Sequence, residues 1–279
     1  MRHSRQALML FMLFCALFLA ACGGDATTGT STPTPAPSPT PAPITLNVFA
    51  AASLKESFTA IANRYQQGHP GVIIKLNFAG SQILEQQIAS GAPADVFASA
   101  DLANMKKASD AGLVGDSQVF VKNRLTVIIP TSNPGKINTL HDLANKGVKI
   151  DIEASTVPAG KYSLQVLDKM ALSPQYGPAY VSAVKANFVS LETDVKAVVT
   201  KVQLGEVDAG FVYVTDAGAA KDKVTMIQIP DTFNVIAQYP IAVTKSAAHA
   251  SDAQAFMQYI LAKDAQDVLQ QYGFIAVNP

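Results

Sequence analysis

Four places in this 279-residue chain set small or hydroxyl residues where a strand-like run passes into a helix-like one. Each could present uncharged hydrogen-bond donors to an anion. In FAAASLKE over 49–56, Ser53 occupies a helix N-cap position with Glu56 three residues on, the spacing of a capping box. In FAGSQ over 78–82, Gly80 permits a tight turn and Ser81 opens a helical run that Gly91 can end. In VPAGK over 157–161, Pro158 presets a first helical turn, while Ala159 and Gly160 let something approach the backbone closely. In LETDV over 191–195, Thr193 or Asp194 is the cap and Val195 follows it. Helix N-termini carry free N–H groups and a partial positive charge, so several aimed at one place form an anion site without Lys or Arg. Each hydrogen bond to a charged group contributes about 1.5–3 kcal/mol, so roughly half a dozen could offset the cost of burying a dianion. Fixed amides also select one tetrahedral size, whereas a mobile lysine accepts any anion. One such junction alone is an ordinary helix cap; the coincidence of four carries the argument.

The elements that must position these junctions are legible. Short β-rich runs at 46–49, 72–78, 96–98, 125–129, 149–152, 187–189, 209–214, 224–229 and 240–243 alternate with segments of helical period. Leu54, Phe58, Ile61, Ala62 and Tyr65 fall on one helical face, as do Val195, Val198, Val199 and Val202. Further helices are expected near 101–111, 161–171, 176–185, 251–262 and 264–271. This alternation predicts an α/β protein with largely parallel sheets.

Composition narrows the function. Hydrophobic residues make up 49% and charged residues 15%, enough for a sizeable core. Lys+Arg and Asp+Glu balance at 21 each, so no net field steers the chain toward nucleic acid, and any anion must be held locally. The four histidines, His3, His69, His141 and His249, show no i, i+4 pairing, and the two cysteines form no ligand motif. No metal site made of side chains and no cofactor are expected.

The N-terminus reads as an export signal. Arg2, His3 and Arg5 precede an apolar run from Ala7 to Ala21, too short to span a membrane comfortably, which ends in LAAC at 19–22. Residues 1–21 are read as a signal peptide. The LAAC ending resembles the bacterial lipoprotein processing box, which implies lipidation of Cys22. The competing reading is an uncleaved anchor helix. Residues 22–43 contain ATTGTSTPTPAPSPTPAP, which has no large apolar side chain and reads as a tether between membrane and folded part.

From residue 44 to the end, the segments VFAAASL (48–54), FAGS (78–81), GAPADVF (91–97), VPAG (157–160), ETDV (192–195) and FVYVTDA (211–217) resemble the molybdate-binding proteins of ABC importers. The resemblance implies the two-lobed periplasmic-binding-protein type II fold, with a ligand cleft between lobes that the chain crosses twice. Lobe one is then expected to combine 44–125 with 238–279, and lobe two to hold 126–237. It implies molybdate or tungstate as the ligand, bound by the hydroxyls and amides of Ser53 and Ser81, the amides of Ala159 and Val195, and the phenol of Tyr213. Without the resemblance Tyr213 reads as a packed strand residue, and Asp95 as a turn-fixing residue outside the ligand shell. Gly80 departs from the family pattern, in which a side chain often stands beside the second serine. The implied protein is an extracytoplasmic, membrane-anchored monomer that hands the oxyanion to the importer's permease.

Two alternatives remain open on the sequence. One keeps the binding role and changes the ligand to sulfate, phosphate or another small anion; a carboxylate in the ligand shell would favour protonated phosphate. The other is a secreted serine hydrolase using Ser53 or Ser81, against which stands the absence of a G-x-S-x-G elbow around either serine.

Overall fold

The computed structural model describes residues 43–277. The expected signal peptide, Cys22 and the tether through residue 42 lie outside the described residues. The chain begins with β1 (Ile44–Ala51), a 3-10 turn (Ala52–Leu54) and α1 (Lys55–Gly68). It continues through β2 (Val72–Ala79), α2 (Ser81–Ala89), β3 (Val96–Ala98), α3 (Leu102–Asp110) and the long β4 (Gln118–Pro130). A second 3-10 turn (Leu140–Ala144) leads to β5 (Ile150–Glu153), α4 (Pro158–Ala171), α5 (Gly177–Ala186), β6 (Phe188–Glu192) and α6 (Val195–Leu204). Then come β7 (Ala209–Tyr213), α7 (Val214–Ala219), β8 (Val224–Gln228) and β9 (Ile236–Val243). Two helices, α8 (Ala250–Leu261) and α9 (Lys263–Gln271), and the short β10 (Ile275–Ala276) complete it.

Two groups of strands share β4. The first runs β2-β1-β3-β9-β4, with β1 parallel to both β2 and β3; the second runs β4-β7-β5-β6, with β5 parallel to both β6 and β7. Along β4, residues 118–124 pair with β9, whereas Leu125 to Pro130 pair with β7 and β8. One strand thus passes its hydrogen bonds from one sheet to the other within a single peptide step. Asn234 holds that step: its Oδ1 accepts from Leu125 N–H at 3.1 Å, and its Nδ2 donates to the Leu125 carbonyl at 2.8 Å.

Helices on both faces bury the parallel strands, so β1, β3 and β7 carry largely apolar runs, whereas β5, Ile-Asp-Ile-Glu, is buried along its whole length with two acids in it. Phe58 and Ile61 of α1 and Val198 and Val202 of α6 are fully buried, as their helical spacing requires. A smaller cluster of Phe49, Leu84, Phe97, Met105 and neighbours fills the space beneath α2 and α3. The outcome is an α/β, two-lobed periplasmic-binding-protein fold.

The sheets are mixed rather than largely parallel, because β9 and the long β4 run antiparallel to every strand they pair with, and several elements differ in extent from the sequence expectation. β4 starts seven residues before the expected run at 125–129, because buried Asn123 finds partners in Thr215 and Tyr239 and so allows a polar stretch to stay in a sheet. β9 starts at Ile236 rather than 240, with Pro240 inside it. Helix α7 begins where the strand was expected to continue to Val214.

Candidate functional site

All five residues singled out from the sequence stand at or beyond the C-terminal ends of strands. Ser53 follows β1, Ser81 follows β2, Ala159 lies at the head of α4 after β5, Val195 opens α6 after β6, and Tyr213 ends β7. All five are buried. Tyr213 proves to be the N-cap of α7, so it too belongs to a strand-to-helix junction.

The caps differ from expectation at one of the four junctions, that of Ser53. Ser53 forms no capping box: it sits inside the 3-10 turn before α1, and its Oγ lies 2.9 Å from Tyr239 Oη. Glu56, the expected partner in that box, reaches instead to Lys196 on α6, at 2.7 Å. Ser81 is the first residue of α2 with Gly80 as N-cap, and its Oγ accepts from Ala100 N–H at 2.9 Å. That junction matches the reading, as do the other two: Pro158 opens α4, and the Asp194 side chain caps α6 by accepting from Lys196 and Ala197 N–H. Gly91 adopts φ +87° just after α2. Asp95 ties its turn together, accepting from Asn47 N–H at 2.7 Å and Ala248 N–H at 3.0 Å.

Buried polar groups cluster at three of these junctions, those of Ser53, Ala159 and Tyr213. Ser53 bonds Tyr239, whose ring packs edge-on against Tyr213 with centroids 5.8 Å apart. Burial drives the hydroxyls of Tyr213 and Tyr239 well above the usual phenol range, so both stay protonated. Among the described residues the buried Tyr213 hydroxyl has no hydrogen-bond partner, an arrangement that costs about 1–3 kcal/mol unless something is offered to it. Glu153, at the end of β5, contributes to the field at Tyr213 and accepts from the N–H groups of Ala159 at 2.6 Å and Gly160 at 3.1 Å. Burial pushes its carboxyl up to about 8 in spite of those two bonds.

A set of polar contacts crosses between the two sheets. Gln82, beside Ser81, donates to the Thr193 carbonyl at 2.8 Å. A Cβ on Gly80 would lie 2.2 Å from that same oxygen, so a glycine at this position has a steric reason. Lys196, beside Val195, lies 2.7 Å from Glu56 and 2.8 Å from the buried Asp216. Burial alone would pull this lysine down, but Asp216 and Glu56 outweigh it and raise it. Lys161, two residues past Ala159, lies 3.9 Å from Asp101. Each of the four strand-to-helix junctions named in the sequence therefore has, within three residues, a polar contact between the β2-β1-β3 group and the β7-β5-β6 group.

Sequence reasoning missed Glu153, Tyr239, Asn123 and Lys196. Tyr239 and Asn123 lie in strands longer than their apolar runs, and Lys196 looks like a solvated helix residue. Glu153 had one signal: in the alternation Ile150, Asp151, Ile152, Glu153, an acid directly precedes the expected anion junction.

Fold and junctions together define a two-lobed extracytoplasmic solute-binding protein. The family described as bacterial extracellular solute-binding protein matches residues 46–275, and the chain belongs to that family. It is 36% identical over 228 residues to the molybdate-binding protein ModA of Mycobacterium tuberculosis (strain ATCC 25618 / H37Rv), covering 81% of this chain and 83% of the relative. Its fold matches the Azotobacter vinelandii periplasmic molybdate-binding protein with a TM-score of 0.70 at 22% identity, over 82% of this chain and 98% of the other. It also matches the sulfate-binding protein SubI from Mycobacterium tuberculosis H37Rv with a TM-score of 0.75 at 18% identity, over 85% and 88%. Among the described residues no helix is long and apolar enough to cross a membrane.

Proposed function

We propose that the chain captures molybdate or tungstate outside the cytoplasm and delivers it to the permease of an ABC importer. The observation that carries this reading is the set of uncharged donors at five strand-to-helix junctions divided between two sheets, in a chain 36% identical to a molybdate-binding protein. The ligand set is Ser53 and Ser81 through hydroxyl and amide, Ala159 and Val195 through amides, and Tyr213 through its phenol. Lobe one comprises 44–125 with 238–279 and lobe two comprises 126–237. The oxyanion bridges the lobes and favours the closed arrangement through contacts made only there. Cys22 carries the lipid that holds the monomer at the cell membrane, with residues 22–43 as tether.

Catalysis is not part of this reading. Ser53 Oγ is paired with Tyr239 and Ser81 Oγ with the Ala100 amide, while His69 stacks on Tyr65 and His141 on Tyr176, so among the described residues neither serine is hydrogen-bonded to an imidazole. One observation favours a second ligand: the Glu153 carboxyl at the Ala159 amide, once ionised, could accept a hydrogen bond from hydrogen phosphate.

Calorimetry of the protein with molybdate, tungstate, sulfate and phosphate tests the proposal. Molybdate and tungstate are expected to bind at least tenfold more tightly than the other two, and Ser53→Ala and Ser81→Ala each to weaken binding by roughly tenfold, for the loss of one bond to a charged group. Equal affinity in both variants and wild type would remove the ligand assignment.

A further inference from the structure

The head of α4 has few free donors. Pro158 has no N–H, and Lys161 N–H already donates to the Val157 carbonyl at 2.9 Å. That leaves Ala159 and Gly160, and one oxygen, Glu153 Oε2, takes both. The arrangement is rigid. A Cβ on Gly160 would lie 2.2 Å from the Glu153 carbonyl and 2.3 Å from that of Ala154, so the first turn of α4 is pressed against the end of β5. The carboxyl is thus built into the position where the oxyanion reading requires the Ala159 amide, and the Tyr213 hydroxyl near it is buried and unpaired among the described residues.

We propose that Glu153 is a specificity-determining residue of the oxyanion site: protonated, it yields the Ala159 amide to a fully ionised oxyanion, and ionised, it excludes that oxyanion. The inference rests on the oxyanion reading above. A neutral carboxyl is a weak competitor for an amide and can itself donate through its O–H, adding one more uncharged donor. A carboxylate holds both amides firmly and repels a dianion in a medium that screens poorly. The surroundings reinforce this. Asp216 on α7 and Asp194 at the head of α6 both disfavour a second negative charge, Glu192 is its register partner on β6, and Tyr213 on β7 is neutral. The nearby cation, Lys196, is bound to Asp216 and Glu56, and Lys201 to Glu192. Burial raises the Glu153 carboxyl to about 8, which places the change of state just above neutrality. Hydrogen phosphate carries a proton it can donate to the ionised carboxylate, so it escapes the exclusion.

The test is calorimetric titration of the full chain in detergent with molybdate and with phosphate from about pH 7 to about pH 9.5, for wild type and Glu153→Gln. Molybdate is fully deprotonated across this range, so the ligand adds no slope of its own. In wild type the molybdate Kd is expected to rise about tenfold per pH unit above about pH 8, and the preference for molybdate over phosphate to fall in step. In Glu153→Gln both are expected to stay within about threefold, because the amide cannot ionise. An equal pH slope in the two proteins would overturn the assignment to Glu153 while leaving the oxyanion reading intact. No oxyanion binding by wild type at neutral pH would overturn both. Should Glu153→Gln fold poorly, infrared spectra of unliganded wild type decide the matter. A protonated-carboxyl band that disappears as the pH passes about 8 supports the proposal, and its absence at pH 7 refutes it.

Discussion

At the scale of single residues, Tyr213 offers the sharpest separation of binding from folding. Its hydroxyl is buried and unpaired among the described residues, so removing it relieves a desolvation cost in the unliganded protein. Tyr213→Phe is therefore expected to unfold at the same temperature as wild type or slightly above it, while its molybdate affinity falls by roughly 10- to 100-fold, the worth of one bond to a charged group. Thermal unfolding and calorimetry on the same preparation check both halves, and a loss of stability would mean that the hydroxyl has a structural partner. Four of the five proposed ligand positions read as strand-to-helix junctions in the sequence, because caps and small residues mark the start of a helix whatever the fold. Tyr213 was not legible by that route, since a tyrosine ending a buried strand looks the same whether it packs or binds. Tyr239 illustrates the limit further: only the pairing of β9 with β4 brings it to Ser53, some 186 residues away in sequence.

At the scale of elements, the junctions join the two sheets, and in the proposed reading they also present the donors. Gly80 meets the Thr193 carbonyl so closely that a methyl group there would have to push backbone from backbone. Gly80→Ala is expected to lower oxyanion affinity at least tenfold with little change in unfolding temperature, because the clash exists only when α2 and the start of α6 are together; affinity equal to wild type would show that this approach is not needed for binding. The Glu56–Lys196 pair joins α1 to α6 but is partly exposed, so its contribution is small, about 0.5–1 kcal/mol, and screened by salt. Glu56→Gln should weaken molybdate binding only about two- to fivefold, with the difference vanishing at high ionic strength. Lys196→Met should cost far more, since Asp216 would be left buried and uncompensated. The helices and parallel strands were legible from apolar period, whereas the lengths of β4 and β9 were not. Their extra residues are polar or proline, and it is a tertiary partner such as Asn234 or Thr215 that keeps them in register.

At the scale of the whole molecule, an acid held at the end of β5 makes stability depend on pH in the direction opposite to ordinary acid denaturation. Glu153 titrates near its usual value in the unfolded chain, whereas burial raises it to about 8 in the folded one. The folded state therefore binds the proton more tightly. The contribution of Glu153 is fully present below the unfolded value and declines as the pH rises, until it is lost above about 8. Asp151, buried on the same strand and raised by burial to about 6, acts in the same sense over a narrower window. Carboxylates held low act the other way: Asp142, lowered by the N–H groups of Asn138 and Thr139, is lost only in acid. The unliganded protein should thus be most stable on the mildly acidic side of neutrality. Glu153→Gln isolates one component of that curve, because an amide keeps the acceptor for the Ala159 and Gly160 N–H groups but has no proton to lose. The difference in unfolding free energy between variant and wild type is expected to shift in favour of the variant by several kcal/mol between about pH 5 and pH 8.5, and to be constant above that. Urea unfolding across this range measures it, and a difference that does not change with pH would show that Glu153 is ionised in the folded protein throughout.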